Sequence, residues 1–89
     1  MKEYQYSNPN KVYVTVEAVF RPDGRLMPTA FIWENGRRYE IDRVTDVCRA
    51  ASLKAGGVGM RYTCMVRSRQ TYLFYEDGRW FMERRGGKK

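Results

Sequence analysis

The stretch FIWENGRRYE, Phe31 to Glu40, decides the fold. Asn35-Gly36 is the favoured pair for a two-residue type I′ hairpin turn, which needs a positive φ at both positions. It predicts that TAFIWE and RRYEIDRV are neighbouring antiparallel strands. Period two puts Phe31 and Trp33 on one face, and Tyr39 and Ile41 on one face of the returning strand. Cross-strand pairs of such side chains hold a hairpin in register. The rings therefore have a structural reason to be there. Arg37 and Arg38, just past the tip, have none, so they are either solvated or kept for a polyanion.

Working outward, KVYVTVEAVF (Lys11 to Phe20) is the clearest strand, with Val12, Val14, Val16, Ala18 and Phe20 on one face. Tyr13, Thr15, Glu17 and Val19 take the other. RPDGR is a turn, because Pro22 pre-sets φ, Asp23 bonds the backbone ahead and Gly24 supplies a positive φ. The next strand carries Pro28 near its start or at an edge, where a missing N–H is tolerated. In VTDVCRAASLKAGGVG the reading is a strand to about Cys48 and then an irregular loop from Arg49 to Gly59. A short helical turn is the alternative, since Val44, Val47, Cys48 and Ala51 also fit a helical stripe. MRYTCMVRS alternates Tyr62, Cys64 and Val66 against Thr63, Met65 and Arg67. SRQ turns it, TYLFYE follows, and Asp77-Gly78 is a second I′ turn leading to RWFMER.

The fold class is all-β: an antiparallel meander of about six strands, curled into a small SH3-like or partly open barrel. Curling lets Val14, Val16, Ile41, Val66, Leu73 and Phe81 meet inside. The domain spans 11–84, with a flexible arm at 1–10 and a disordered basic tail at 85–89. A chain of 89 residues suits one domain, burying roughly two thirds of its unfolded surface. Seven tyrosines, four phenylalanines and two tryptophans suit a ring-rich core and argue against disorder.

The net charge is +7, and arginine outnumbers lysine 12 to 5. Such a balance attracts DNA, RNA or anionic surfaces. No run of apolar residues is long enough for a spanning helix. No secretory signal is visible in MKEYQYSNPN, so the expected location is the cytoplasm. There Cys48 and Cys64 are expected to pack as small apolar residues and not to pair.

Three segments together, RPDGRLMPTAFIWENGRRYEIDRV, ASLKAGGVGMRYTC and TYLFYEDGRWFMER, resemble a family of short uncharacterised bacterial proteins. They are also similar to the small β-domain encoded beside translesion, Y-family DNA polymerase genes. The resemblance is carried by the hairpin from Ile32 to Tyr39, and by the Tyr-x-Leu-x-Tyr strand with its later Trp-Phe, Tyr72 to Phe81. It covers most of residues 20 to 84. It implies a β-fold and a role accessory to DNA repair or replication, and it brings no catalytic residues.

Acid–base chemistry has little to work with. There is no histidine, which removes the usual neutral-pH base, the His-dependent triads and most zinc sites. Ser7, Ser52 and Ser68 fall in arms or loops without an activating base. Asp23 and Asp77 are explained by turns, and Glu34 and Glu76 precede turns. Asp42 and Asp46 are close in sequence without a promise of convergence. KAGGVG has its Lys54 ahead of the glycines, the reverse of a phosphate loop. A looser phosphate contact by its backbone, with Lys54 and Arg61, stays open. No enzyme, cofactor, metal or membrane role is expected.

The leading expectation is a nucleic-acid-binding module, single strands favoured. Arg37, Arg38, Arg43, Arg49, Lys54, Arg61, Arg67 and Arg69 would meet phosphates, and Tyr39 and Tyr62, with Tyr72 or Tyr75, would stack on bases. The alternative is a protein-interaction module using an edge strand or the 49–59 loop, either as a monomer or as an edge-strand homodimer.

Overall fold

The period-two pattern is interrupted at Val14 and again between Ile41 and Asp42, and these two interruptions set the architecture. A computed structural model of the chain describes residues 11–51 and 58–84. The arm at 1–10, the tail at 85–89 and Lys54 lie outside the described residues. The described chain is all-β. Its strands are β1 (Lys11–Tyr13), β2 (Thr15–Phe20), β3 (Leu26–Ile32), β4 (Arg38–Glu40), β5 (Arg43–Ala51), β6 (Val58–Val66), β7 (Arg69–Glu76) and β8 (Arg79–Glu83). Eight form where six are expected, because two of the six are each cut in two by a change of sheet.

One sheet has the order β1-β8-β7-β6-β5 and the other β2-β3-β4, with every pairing antiparallel. Tyr13 still faces Phe81 of the larger sheet, while Thr15 already faces Ile32 of the smaller. At the other corner the Ile41 N–H donates to Thr29 O (2.9 Å), and the next N–H, of Asp42, donates to Met65 O (2.8 Å). Adjacent residues thus belong to opposite sheets. The two sheets are not closed into a barrel. The covalent chain turns both corners where a barrel would use ladder hydrogen bonds.

The hairpin tips divide into two kinds. At Asp77-Gly78 both residues have positive φ (55° and 76°), a two-residue I′ turn as expected. Asn35-Gly36 is not one: only Gly36 is positive, at 87°. The Gly36 N–H donates to Trp33 O (2.8 Å) and the Trp33 N–H to Arg37 O (2.9 Å), enclosing a three-residue loop. This is a type I turn closed by a left-handed glycine. RPDGR repeats it, with Gly24 N–H to Arg21 O and Arg21 N–H to Arg25 O, both 2.8 Å. In each loop the Asn or Asp side chain accepts the N–H two residues on, Arg37 at 2.9 Å and Arg25 at 3.0 Å. That bond serves the right-handed turn, so only the glycine has to be left-handed.

The fourth tip, between β6 and β7, is Arg67-Ser68, with φ of 53° and 67° and no glycine. A left-handed non-glycine residue costs roughly 1–2 kcal/mol. The Arg67 N–H is held by Asp42 Oδ2 at 3.1 Å.

The core lies between the sheets. Phe31, Tyr62, Cys64, Val66, Leu73 and Met82 are its buried centre, and Val14, Val16, Trp33, Tyr39, Ile41 and Trp80 pack around them. Tyr62 ties the layers together by donating its hydroxyl to Leu26 O at 2.6 Å. Phe20, expected on the same face as Val14 and Val16, is 76% exposed. The bulge in this pair leaves Thr29 of β3 unpaired between Ala30 and Pro28, and beyond it the end of β2 runs out of the core, with Val19 exposed as well as Phe20. Pro28 sits on the central strand of the smaller sheet. β4 reaches only as far as Ala30 there, so Pro28 has a partner on one side alone, and its missing N–H costs no ladder bond. The expected loop at 49–59 is shorter: β5 runs on to Ala51 and β6 begins at Val58, leaving 52–57 outside the described residues.

Candidate nucleic-acid interface

In the larger sheet, Met60, Tyr62, Cys64 and Val66 of β6, Leu73 and Tyr75 of β7, and Trp80 and Met82 of β8 point into the core. Period two sends the residues between them to the opposite face. Among the described residues no layer covers that face. Its central row is read from the register: Tyr13 opposite Phe81, Phe81 opposite Phe74, Phe74 opposite Arg61, and Arg61 opposite Cys48. Three rings and a guanidinium run across neighbouring strands without a gap.

The rings touch. Phe74 and Phe81 stack at 5.0 Å with planes 5° apart, and Tyr13 meets Phe81 edge-on at 5.9 Å. Cations lie over them. Lys11 Nζ is 4.3 Å from the Phe81 ring centre and 5.4 Å from that of Tyr13. The Arg79 guanidinium is 3.6 Å from the Tyr13 ring, and that of Arg61 is 4.9 Å from the Tyr72 ring. Tyr13 is 47% and Tyr72 41% exposed, so these two rings are within reach of a ligand. Arg61 is one hydrogen bond short, since its Nε is buried without a partner. Among the described residues the ion pairs engage Arg25, Arg38 and Arg84, and leave Lys11, Arg61 and Arg79 outside them. Arg43, opposite Met65, extends the basic edge of the face. Asp46, Glu76 and Glu83 stand on the same face and limit its net charge.

The expected site residues do not form one patch. Arg37 is exposed at its hairpin tip. Arg38 is taken up by the smaller sheet, its guanidinium bound to Glu17 at 2.8 and 2.9 Å and to Glu40 at 3.1 Å. These hydrogen bonds raise the pKa of Arg38 and lower that of Glu17. Arg49 lies opposite Met60 in a core-side row but is exposed. Arg43 and Arg61 are on the outer face. Arg67 and Arg69 stand together at the β6–β7 tip. Tyr62 is buried to 4% and hydrogen-bonded, and burial raises its pKa, so it is a core residue and no stacking platform. Tyr39 stacks on Phe31 at 5.4 Å beneath the core, and Tyr75 packs on Trp80 at 4.7 Å. Cys64 is fully buried, which pushes its thiol up to about 11. In KAGGVG, Gly59 is a strand residue with a packing reason, because a β-carbon there would lie 3.1 Å from Tyr75 O.

Sequence reading missed Tyr13, Phe74, Phe81, Lys11 and Arg79. Phe81 in particular is buried as expected, at 9% exposure, but on the side of the sheet away from the core cluster, beneath Lys11. RWFM is apolar on both sides, so alternation could not choose. The usable signal was the row itself: aromatic outer positions in β1, β7 and β8 at matching register.

These features define an open two-sheet antiparallel β protein with a cation-capped aromatic face. Comparison with known proteins returned no matching family model, no similar curated protein and no similar solved structure. Among the described residues no helix is long and apolar enough to cross a membrane.

Proposed function

We propose that the outer face of the five-stranded sheet binds single-stranded nucleic acid, without catalysis. The observation that carries this reading is the pair of exposed rings, Tyr13 and Tyr72, on a face whose row Tyr13–Phe81–Phe74–Arg61 supports them, with Lys11, Arg61 and Arg79 seated on its rings. Rings on an open sheet are stacking platforms for unpaired bases, and each stacked base contributes roughly 1–3 kcal/mol. Duplex DNA hides its bases, so a flat aromatic face selects single strands. Lys11, Arg61 and Arg79 would shift from rings to phosphates as bases arrive. Arg61 gains most, because it holds a buried donor without an acceptor. A role beside a repair or replication enzyme, the expectation carried by the resemblance, would use the same property.

The test is fluorescence anisotropy with labelled single-stranded 12-mers across a salt series. Three phosphate contacts give a log–log slope of about −2. Binding should weaken roughly tenfold for each of Tyr13→Ala and Tyr72→Ala. Binding that is missing at low salt, or unchanged from wild type in both variants, removes the reading.

A second reading is favoured by one observation. β5 is nine residues long and forms an edge of its sheet among the described residues. Long edge strands recruit another strand, from a partner or a second copy. Light scattering that finds a dimer, abolished by a proline at exposed Asp46, would support it.

A further inference from the structure

A cavity of about 680 Å³ opens between the two sheets beside the β6–β7 tip. This volume is in the range of small-molecule sites. One wall is aromatic, with Phe31, Trp33 and Tyr39 from the smaller sheet and its hairpin. Val66 and Met82 line the other, and Arg67 and Arg69 stand among the lining residues. Neither arginine is in an ion pair among the described residues, whereas Arg84, also in the lining, is held by Glu34 at 2.9 Å. Glu83 is the one carboxylate of the lining.

A second observation points to the same place. Arg67 and Ser68 are both left-handed without glycine, while the tip at the other end of β7 has one such residue, Asp77, followed by Gly78. Strain of this kind collects where a binding group has to be aimed. Here Asp42 holds the Arg67 N–H, and the Arg67 guanidinium is 5.9 Å from the Tyr39 ring. The Arg67 backbone is thus held, with its guanidinium at the edge of an aromatic slot. We infer that this cavity is a second binding site, for a flat ring carrying an anion: a nucleobase with its phosphate, the ring against Trp33 and Tyr39 and the phosphate on Arg67 and Arg69. The ligand could come as a free mononucleotide or as the phosphorylated end of a strand. The inference does not rest on the outer-face reading.

The experiment follows the indole N–H resonances of the full chain, with Trp33 assigned by Trp33→Phe. Adenosine monophosphate should move the Trp33 signal, and adenosine or inorganic phosphate should bind roughly tenfold more weakly. Arg67→Gly should raise the melting temperature by relieving strain and lose the preference for the phosphate. Ser68→Gly should raise it and keep that preference. Tyr13→Ala should leave the response intact, which separates this site from the outer face. A 5′-phosphorylated hexamer that outcompetes its 5′-hydroxyl twin identifies a strand end as the source, and equal competition identifies the free nucleotide. A Trp33 signal unmoved by the monophosphate, in protein whose Trp80 signal remains dispersed, overturns the inference. So does an equal response to adenosine.

Discussion

The outer faces of the two sheets solve the same problem in opposite ways. On the smaller sheet, Glu17, Arg38 and Glu40 satisfy one another across three strands, and the charges are spent on the protein itself. On the larger sheet, Lys11, Arg61 and Arg79 rest on rings, and no carboxylate pairs with them among the described residues. Cations on rings are held more weakly than cations in hydrogen-bonded pairs. They are therefore the ones a phosphate can take. Counting arginines says nothing about which are free; their partners do.

The largest effect expected in breaking this comparison is at Phe81. It is 9% exposed and stacks on Phe74, so Phe81→Ala should cost about 3–5 kcal/mol in urea unfolding, although the residue lies outside the core cluster. A loss below 1 kcal/mol would mean that the outer ring row does not hold the sheet together.

Alkaline pH should come next. Cys64 titrates near 9 when unfolded and at about 11 when folded, raised by burial. Its folded form binds the extra proton between those values, so stability is whole below about pH 9 and falls as pH rises towards 11. The loss from Cys64 should reach about 2–3 kcal/mol, and Tyr62, raised in the same direction by burial, adds to it. Melting curves of wild type and Cys64→Ala should differ in slope over this window. Parallel curves would contradict the burial of the thiol.

Ser68→Gly should stabilise by roughly 1 kcal/mol, because glycine accepts the left-handed conformation. At the β7–β8 tip the matching second position is already Gly78. The smallest effect belongs to the other face. Arg38→Gln should leave oligonucleotide affinity unchanged and move the unfolding midpoint little, because the cluster is solvent-exposed and screened. A clear loss of affinity in Arg38→Gln would bring the smaller sheet into the interface.

How much of this was legible follows from particular residues. Val66 is expected inside and is buried there, whereas Tyr62, on the same face by alternation, is expected to stack on bases and is a core residue instead. Asp77-Gly78 named its own turn. Asn35-Gly36 named a turn but misnamed its type, because a side-chain bond from Asn35 to the Arg37 N–H competes with the mirror-image geometry. The turn expected at SRQ forms one residue earlier, at Arg67-Ser68, and without glycine its left-handed conformation is imposed by the strands on either side and by Asp42. The opening arginines divide as well: Arg37 is a solvated tip residue and Arg38 belongs to an ion cluster, so neither contributes to the proposed interface.

The amino-acid order by itself determined that the chain is all-β and antiparallel, and roughly where it reverses, because residue-level preferences for extended and turn backbone act over a few positions. Only the tertiary structure decided that the strands break at Val14 and Ile41 to form two sheets, which side of β8 faces the core, and which cations keep a partner. Those outcomes depend on residues far apart in sequence meeting across strands, such as Arg38 with Glu17 and Phe81 with Tyr13, and a local pattern carries no record of who stands opposite.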